Sequence, residues 1–204
     1  MNKIKKFRIL KFKSKPILRA KNITKSFDNR PVLQNLNFSV SPGEIFGLLG
    51  PNGAGKSVTF QILIGITRAD HGEVSISGTR INDLPIHERT NKYKIGYIPQ
   101  NESVFRGLST EDNLRSICEI MIKEKRTIES TVNNLLTEFS LTEVRKVLSK
   151  NLSGGQRKKL VIARSLINKP KILIMDEPFS AIDPINIDVI KRIIVNLQSR
   201  GISI

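Results

Sequence analysis

The octapeptide Gly50-Pro51-Asn52-Gly53-Ala54-Gly55-Lys56-Ser57 constrains this chain more than any other feature. It fits G-x-x-x-x-G-K-[ST]. It also stands between an almost wholly apolar stretch, Glu44 to Gly50 (EIFGLLG), and a helical pattern from about Gly55 to Thr67. With Gly near 7% of residues, a chance match in roughly 200 positions is about 1%, and the strand–loop–helix context lowers it further. Glycines let backbone N–H groups turn inward around phosphate oxygens. The helix start adds the positive end of its dipole. Lys56 is expected to reach the β- and γ-phosphates, and Ser57 to ligate Mg²⁺.

Two further segments carry chemistry. Ile172-Leu173-Ile174-Met175-Asp176-Glu177 is an apolar strand ending in two acids. A carboxylate at the carboxyl end of a parallel strand faces the ligand crevice. Asp176 is expected to hold the Mg²⁺ shell, and Glu177 to orient and deprotonate the attacking water. Leu152-Ser153-Gly154-Gly155-Gln156 opens a helix. Ser153 with Gln156 three residues on is a capping box. A cap needs no glycine pair, so Gly154 and Gly155 also expose amides at a positive helix end, an anion site.

The remaining pattern alternates strands and helices and predicts an α/β fold. Ile17 to Ile23, Val32 to Val40, Glu73 to Ser77, Ile95 to Ile98 and Lys171 to Met175 read as strands. Val32 to Val40 alternates as a half-exposed antiparallel strand does. Glu44 to Gly50 reads as a buried parallel strand. Thr110 to Val147 is helical, with Leu114, Ile117, Cys118 and Met121 on one face and Ser109 as N-cap. A helix from Pro184 runs to about Arg200 and ends at Gly201. Ile202 to Ile204 reads as a strand just begun.

Composition bounds the classes. The 204 residues hold 34 Lys+Arg against 18 Asp+Glu, a net charge of +16. Recurrent apolar segments exclude disorder as a class. Cys118 stands alone, which excludes a disulfide scaffold. No stretch approaches the roughly 20 apolar residues that span a bilayer. Met1 to Pro16 carries Lys3, Lys5, Lys6, Arg8, Lys11, Lys13 and Lys15 with no acid, unlike a secretory signal. The expected organisation is a basic arm over 1–16 and a nucleotide-binding domain over 17–204. The expected location is cytoplasmic, peripheral to a membrane. The arm reads either as a solvated tail or as a contact for anionic headgroups.

These motifs resemble those of the ABC (ATP-binding cassette) ATPases, over about Ile17 to Ile204. Gly50–Ser57 matches their Walker A, Leu152–Gln156 their signature and Ile172–Glu177 their Walker B. Gln100 after Gly96-Tyr97-Ile98-Pro99 matches the Q-loop glutamine, and Ser180-Ala181-Ile182-Asp183 the D-loop. Phe27 stands where an aromatic stacks on adenine, which needs only a π-face. The resemblance implies a P-loop NTPase fold of ABC type, with an antiparallel β layer and a helical subdomain over about 101–159. It implies ATP and Mg²⁺ as ligands and a homodimer closed over the ATP sites. Nucleotide contacts then fall on Phe27, Gly50 through Val58, Ser153, Gly154, Gly155, Gln156 and Asp183, and metal contacts on Ser57, Gln100 and Asp176. Glu177, Gln100 and Lys56 are the implied catalytic set.

Within the family, Leu84 to Arg89, Gly96 to Gln100, Ser103 to Ser109, Asp176 to Ile185 and Ile190 to Ile194 resemble the ATPases of lipopolysaccharide-export (Lpt) transporters. The branch implies a pair of transmembrane partners, with Phe105 and Arg106 near the groove that receives them. The alternatives are the ATPase of a branched-chain amino-acid importer and an ATP-binding subunit with little hydrolysis. A nucleic-acid-associated ABC protein fits the charge, but 204 residues leave no room for a second cassette. A GTPase is disfavoured because Asn168-Lys169-Pro170-Lys171 lacks the Asp of NKxD. Four departures stand out, one being the basic arm Met1–Pro16, an addition to the family pattern. Val58 replaces the usual Thr, and Gln156 stands where the Lpt branch often has Glu. His71 and His87 both precede Asp176, so neither fills the family's switch-histidine role, and a fragment or shortened form is expected.

Overall fold

The computed structural model describes residues 5–8, 15–101, 103–180 and 182–204. The strands are β1 (Lys5–Arg8), β2 (Leu18–Phe27), β3 (Arg30–Val40), β4 (Phe46–Leu49), β5 (His71–Ile76), β6 (Thr79–Arg80), β7 (Ile95–Ile98) and β8 (Ile172–Met175). The helices are α1 (Lys56–Ile64), α2 (Ile86–Lys92), α3 (Thr110–Met121), α4 (Lys125–Glu138), α5 (Gly154–Leu166) and α6 (Pro184–Ser199). The chain forms two bodies. The first holds Met1–Ile95, Lys171–Asp176 and Asn196–Ile204, and the second Gly96–Pro170 and Glu177–Val195.

The first body contains an antiparallel sheet in the order β3-β2-β5-β6. Its inner positions are buried: Leu18, Ala20, Leu36, Phe38, Val40, Val74 and Ile76. Side chains of a strand alternate between faces, so this spacing gives the sheet one apolar side. Asp28 and Asn29 join β2 to β3 with φ of 48° and 60°, and Phe27 pairs with Arg30 across them. Positive φ at both central residues is the two-residue turn that matches strand twist.

The β4 strand is only part-buried, with Leu49 exposed, where the apolar run predicts a buried strand. Phe46 stacks on Phe38 with ring centroids 5.1 Å apart. The β4 strand is paired along one edge and, at Phe46, on the other. On one side β1 runs antiparallel, Lys5 opposite Leu49 and Arg8 opposite Phe46. A strand inside the basic arm is something its charge pattern does not signal. Residues 1–4 and 9–14 of that arm lie outside the described residues. On the other side Phe46 N–H donates to Ile204 O (2.7 Å) and Ile204 N–H to Glu44 O (2.9 Å). Ser203 bridges in parallel to Ile172, with Leu173 N–H donating to Ser203 O at 2.8 Å. The expected strand at Ile202–Ile204 is therefore paired on both sides at Ser203 and Ile204.

The C-terminal end of α1 is closed by a buried cation. Arg89 donates to the carbonyls of Ile62 (2.8 Å), Leu63 (2.9 Å), Asn82 (2.9 Å) and Leu84 (2.7 Å). A cation suits the negative end of the helix dipole. Burial lowers the guanidinium's pKa, and the four carbonyls satisfy it. Gly65, at φ 86°, ends α1 where a Cβ would lie 2.7 Å from Arg89 Nε.

In the second body Ser109 caps α3, its hydroxyl accepting from Asp112 N–H. Leu114 and Cys118 are fully buried, whereas Met121, predicted on the same face, is exposed near the helix end. The buried carboxylate of Glu111 holds the helices together. It accepts from Lys146 (2.8 Å), Arg145 (2.9 Å) and Arg115 (2.9 Å). Arg115 also forks onto Glu129 of α4, and Arg145 donates to Asn133 at 2.7 Å. Hydrogen bonds from Lys146 and Arg145, then Arg115, pull the Glu111 carboxyl down to about 2.

Because its folded-state pKa is depressed, Glu111 contributes stability in full above the ordinary 4.5 and loses it as pH falls toward about 2. Glu111→Gln is expected to lower the unfolding free energy by about 1–3 kcal/mol near neutral pH. The deficit should shrink near about pH 3. Urea titrations at the two pH values check this, and an equal deficit at both would contradict it.

Candidate nucleotide site

The phosphate-loop sequence lies between β4 and α1, all in the first body. Gly53 and Gly55 take φ of 78° and 88°, a region that L side chains rarely enter. Gly55 also lacks space: a Cβ there would lie 2.6 Å from Leu33 Cδ2 and 3.2 Å from Val32 O. The loop therefore rests directly on β3. Lys56 is the first residue of α1, and its Nζ donates to the carbonyls of Gly50 (2.7 Å) and Pro51 (3.0 Å). Thr59 anchors the turn by donating its hydroxyl to Gly55 O at 2.8 Å. The first turn of α1 holds no acid. Gly50 to Val58 is one continuous segment here, with Ser57 and Val58 in the first turn.

The β8 strand is buried along its length and delivers Asp176, itself only 3% exposed, at its end. Among the described residues no cluster of three or more His, Cys, Asp or Glu could hold a metal ion. One hydroxyl and one carboxylate, Ser57 and Asp176, are the hard oxygen donors that suit Mg²⁺, which keeps several waters and binds substrate phosphates. The donor chemistry fits that ion.

Phe27 ends β2 and is 45% exposed. The Lys25 ammonium sits 5.2 Å from the ring centroid and pairs with Asp70 at 2.7 Å. The Lys25 bond, then the Ser26 amide, hold the Asp70 carboxyl below its usual range.

In the second body Gln100 Nε2 donates to Glu177 Oε2 at 2.8 Å. These two residues, predicted from separate motifs, are brought together. Glu177 is non-glycine yet has φ 48°. Such strain persists only when neighbours over-determine it, and it clusters at functional positions. The Glu177 carbonyl accepts from Ser180 N–H (3.1 Å) and Ser180 Oγ (2.9 Å), a tight turn that holds the conformation.

Both bonds of the predicted capping box at Ser153 and Gln156 are present, at 3.2 Å and 3.0 Å. Gly155 is buried against the Asn186 side chain, where a Cβ would lie 2.4 Å from Cγ. Asp183 accepts from Asn186 Nδ2 (2.6 Å) and from Asn186 N–H (3.0 Å), which lowers the Asp183 pKa. Asn186 thus joins the signature glycine to the D-loop aspartate. Ala181 of the D-loop lies outside the described residues. Phe105 is 45% exposed, with the Arg164 guanidinium 4.6 Å from its ring. Asn113 grips the Phe105 backbone through both ends of its amide. Lys25, Asp70, Asn113 and Asn186 are not flagged by any motif, because each acts through a partner distant in sequence or unremarkable by type.

Residues 33–180 match the family described as ABC transporter. The chain is 41% identical over 191 residues to the lipopolysaccharide export system ATP-binding protein LptB of Haemophilus influenzae, covering 92% of this chain and 78% of that protein. To LptB of Escherichia coli it is 42% identical over 190 residues, with the same coverage. Among solved structures, a nucleotide-free ATP-binding cassette from an ABC transporter superposes with a TM-score of 0.81 at 27% identity. That match covers 93% of this chain and 79% of the other. The ADP conformation of a cassette gives the same score and identity over 93% and 80%. The expected P-loop fold of ABC ATPase type is therefore the fold observed. A phosphate loop resting on a β strand, an acid at the end of a buried strand and a capped double-glycine helix occur here in a chain that matches the family over most of its length: the protein belongs to the ABC transporter family.

Proposed function

We propose that the chain is the ATP-binding and hydrolysing subunit that powers lipopolysaccharide export from the inner membrane. The observation that carries the nucleotide reading is the glycine loop, packed too tightly on β3 for a side chain at Gly55 and ending in Lys56. The export reading rests on similarity to LptB proteins across 92% of the chain.

In the first body, backbone N–H groups from Asn52 to Val58 surround the phosphates, and Lys56 exchanges the carbonyls of Gly50 and Pro51 for phosphate oxygens. Phe27 stacks on the base. Ser57 and Asp176 would hold Mg²⁺, which would neutralise phosphate charge; the resemblance adds the Gln100 amide oxygen as a further ligand of the ion. In the second body Glu177 accepts a proton from the attacking water, and its bond from Gln100 fixes the carboxylate that does so. Catalysis of this kind is mainly positioning and electrostatics. Ser153, Gly154, Gly155, Gln156 and Asp183 meet the nucleotide of a second copy across a two-fold interface. A solved relative described as a dimeric post-hydrolysis state with ADP and Pi supports such an assembly.

No helix among the described residues is long and apolar enough to cross a membrane. The energy is delivered to a pair of transmembrane subunits on the cytoplasmic face, with Phe105 and Arg106 at the contact. The expected contact of the basic arm with anionic lipid rests on its charge alone.

Glu177→Gln is expected to bind ATP as the wild type does and to lose turnover by roughly 10²-fold or more. Phosphate release beside equilibrium ATP binding checks this, and wild-type turnover in the variant would overturn the assignment. Gly55→Ala should weaken ATP binding at least about tenfold, because the added methyl must displace Leu33 or the loop. Calorimetric titration with ATP reads it.

A further inference from the structure

Phe27 is the last residue of β2, at the tip of the β2–β3 hairpin. Phe27 is only part-covered there, at 45% exposure. Two contacts anchor the hairpin to the phosphate loop and its helix. One is Gly55, seated on Val32 and Leu33 of β3. The other is Asp70, which follows α1 along the chain and begins the return into β5. Asp70 Oδ1 accepts from Lys25 Nζ and Oδ2 accepts from Ser26 N–H, both at 2.7 Å. Asp70 N–H donates to Thr24 O at 2.9 Å. One residue thus grips Thr24, Ser26 and the Lys25 side chain, the three positions just before Phe27. Lys25 is only 16% exposed despite its charge, and its ammonium lies 5.2 Å from the Phe27 centroid. A cation held over an aromatic face orients that ring.

We propose that Lys25 and Asp70 are positioning residues for the Phe27 ring, setting the base platform in register with the phosphate loop. This rests on the reading of Phe27 and Gly50–Ser57 as one nucleotide site. Asp70 ties the platform to the segment leaving α1, and the ammonium, held by the carboxylate, steadies the ring. The pair therefore acts on the base half of the ligand, and neither residue belongs to the set assigned to the phosphate half. Lys25→Met keeps the alkyl stem and removes the charge. Asp70→Asn keeps the size and weakens the grip.

The test compares ATP with inorganic tripolyphosphate, which presents the phosphates without a base, by competition titration on the full chain. Lys25→Met and Asp70→Asn should each weaken ATP by roughly 3- to 10-fold. Tripolyphosphate binding should be unchanged, which also reports that each variant is folded. Phe27→Ala should lower the ATP-to-tripolyphosphate affinity ratio at least as far. Adding Lys25→Met to Phe27→Ala should lower it no further, since coupled residues are not additive. A loss shared equally by both ligands, or an unchanged ratio, overturns the proposal while leaving the nucleotide reading intact. Failure of the wild type to bind ATP overturns both.

Discussion

The contact between Gly55 and β3 sets the geometry on which the rest of the site depends. A Cβ at Gly55 would overlap the Leu33 side chain at 2.6 Å, so the loop can lie flat on the strand only because that atom is missing. The left-handed backbone at Gly53 and Gly55 then turns the loop into the first residue of α1. Lys56 consequently starts the helix with its ammonium over the loop rather than out in solvent. At the far end of α1, Arg89 takes up the Ile62 and Leu63 carbonyls. The helix is thus held at both termini.

The second body uses charge where the first uses close packing. Glu111 is almost buried and is matched by Arg115, Arg145 and Lys146, so desolvating the carboxylate is offset by three charge-assisted bonds. Arg115 reaches α4 through Glu129, and Arg145 reaches it through Asn133. Asn113 and Ser149 hold the backbone of Phe105 from two sides. The result is a rigid frame beneath an exposed aromatic.

Much was legible from local sequence. The phosphate loop, the acids ending β8, the Ser109 and Ser153 caps and the antiparallel alternation of β3 each follow from residues within one turn or one strand of each other. Three readings needed correction. The β4 strand is less buried than its apolar run implies. Met121 emerges at the end of its helix. Part of the basic arm is a strand, paired through backbone atoms that a charge count cannot register. Ala181 and most of the arm lie outside the described residues.

The sequence by itself determined which chemistry the chain carries, because phosphate binding, helix capping and turn formation depend on residue type at short, fixed spacing. Only the tertiary structure decided which distant residues serve that chemistry. Asp70 grips Lys25 from 45 residues away, and Gln100 meets Glu177 across 77. Asn186 fills the space that Gly155 leaves. These pairings are set by strand order and by where each connection returns, and periodicity within a single element holds no record of either.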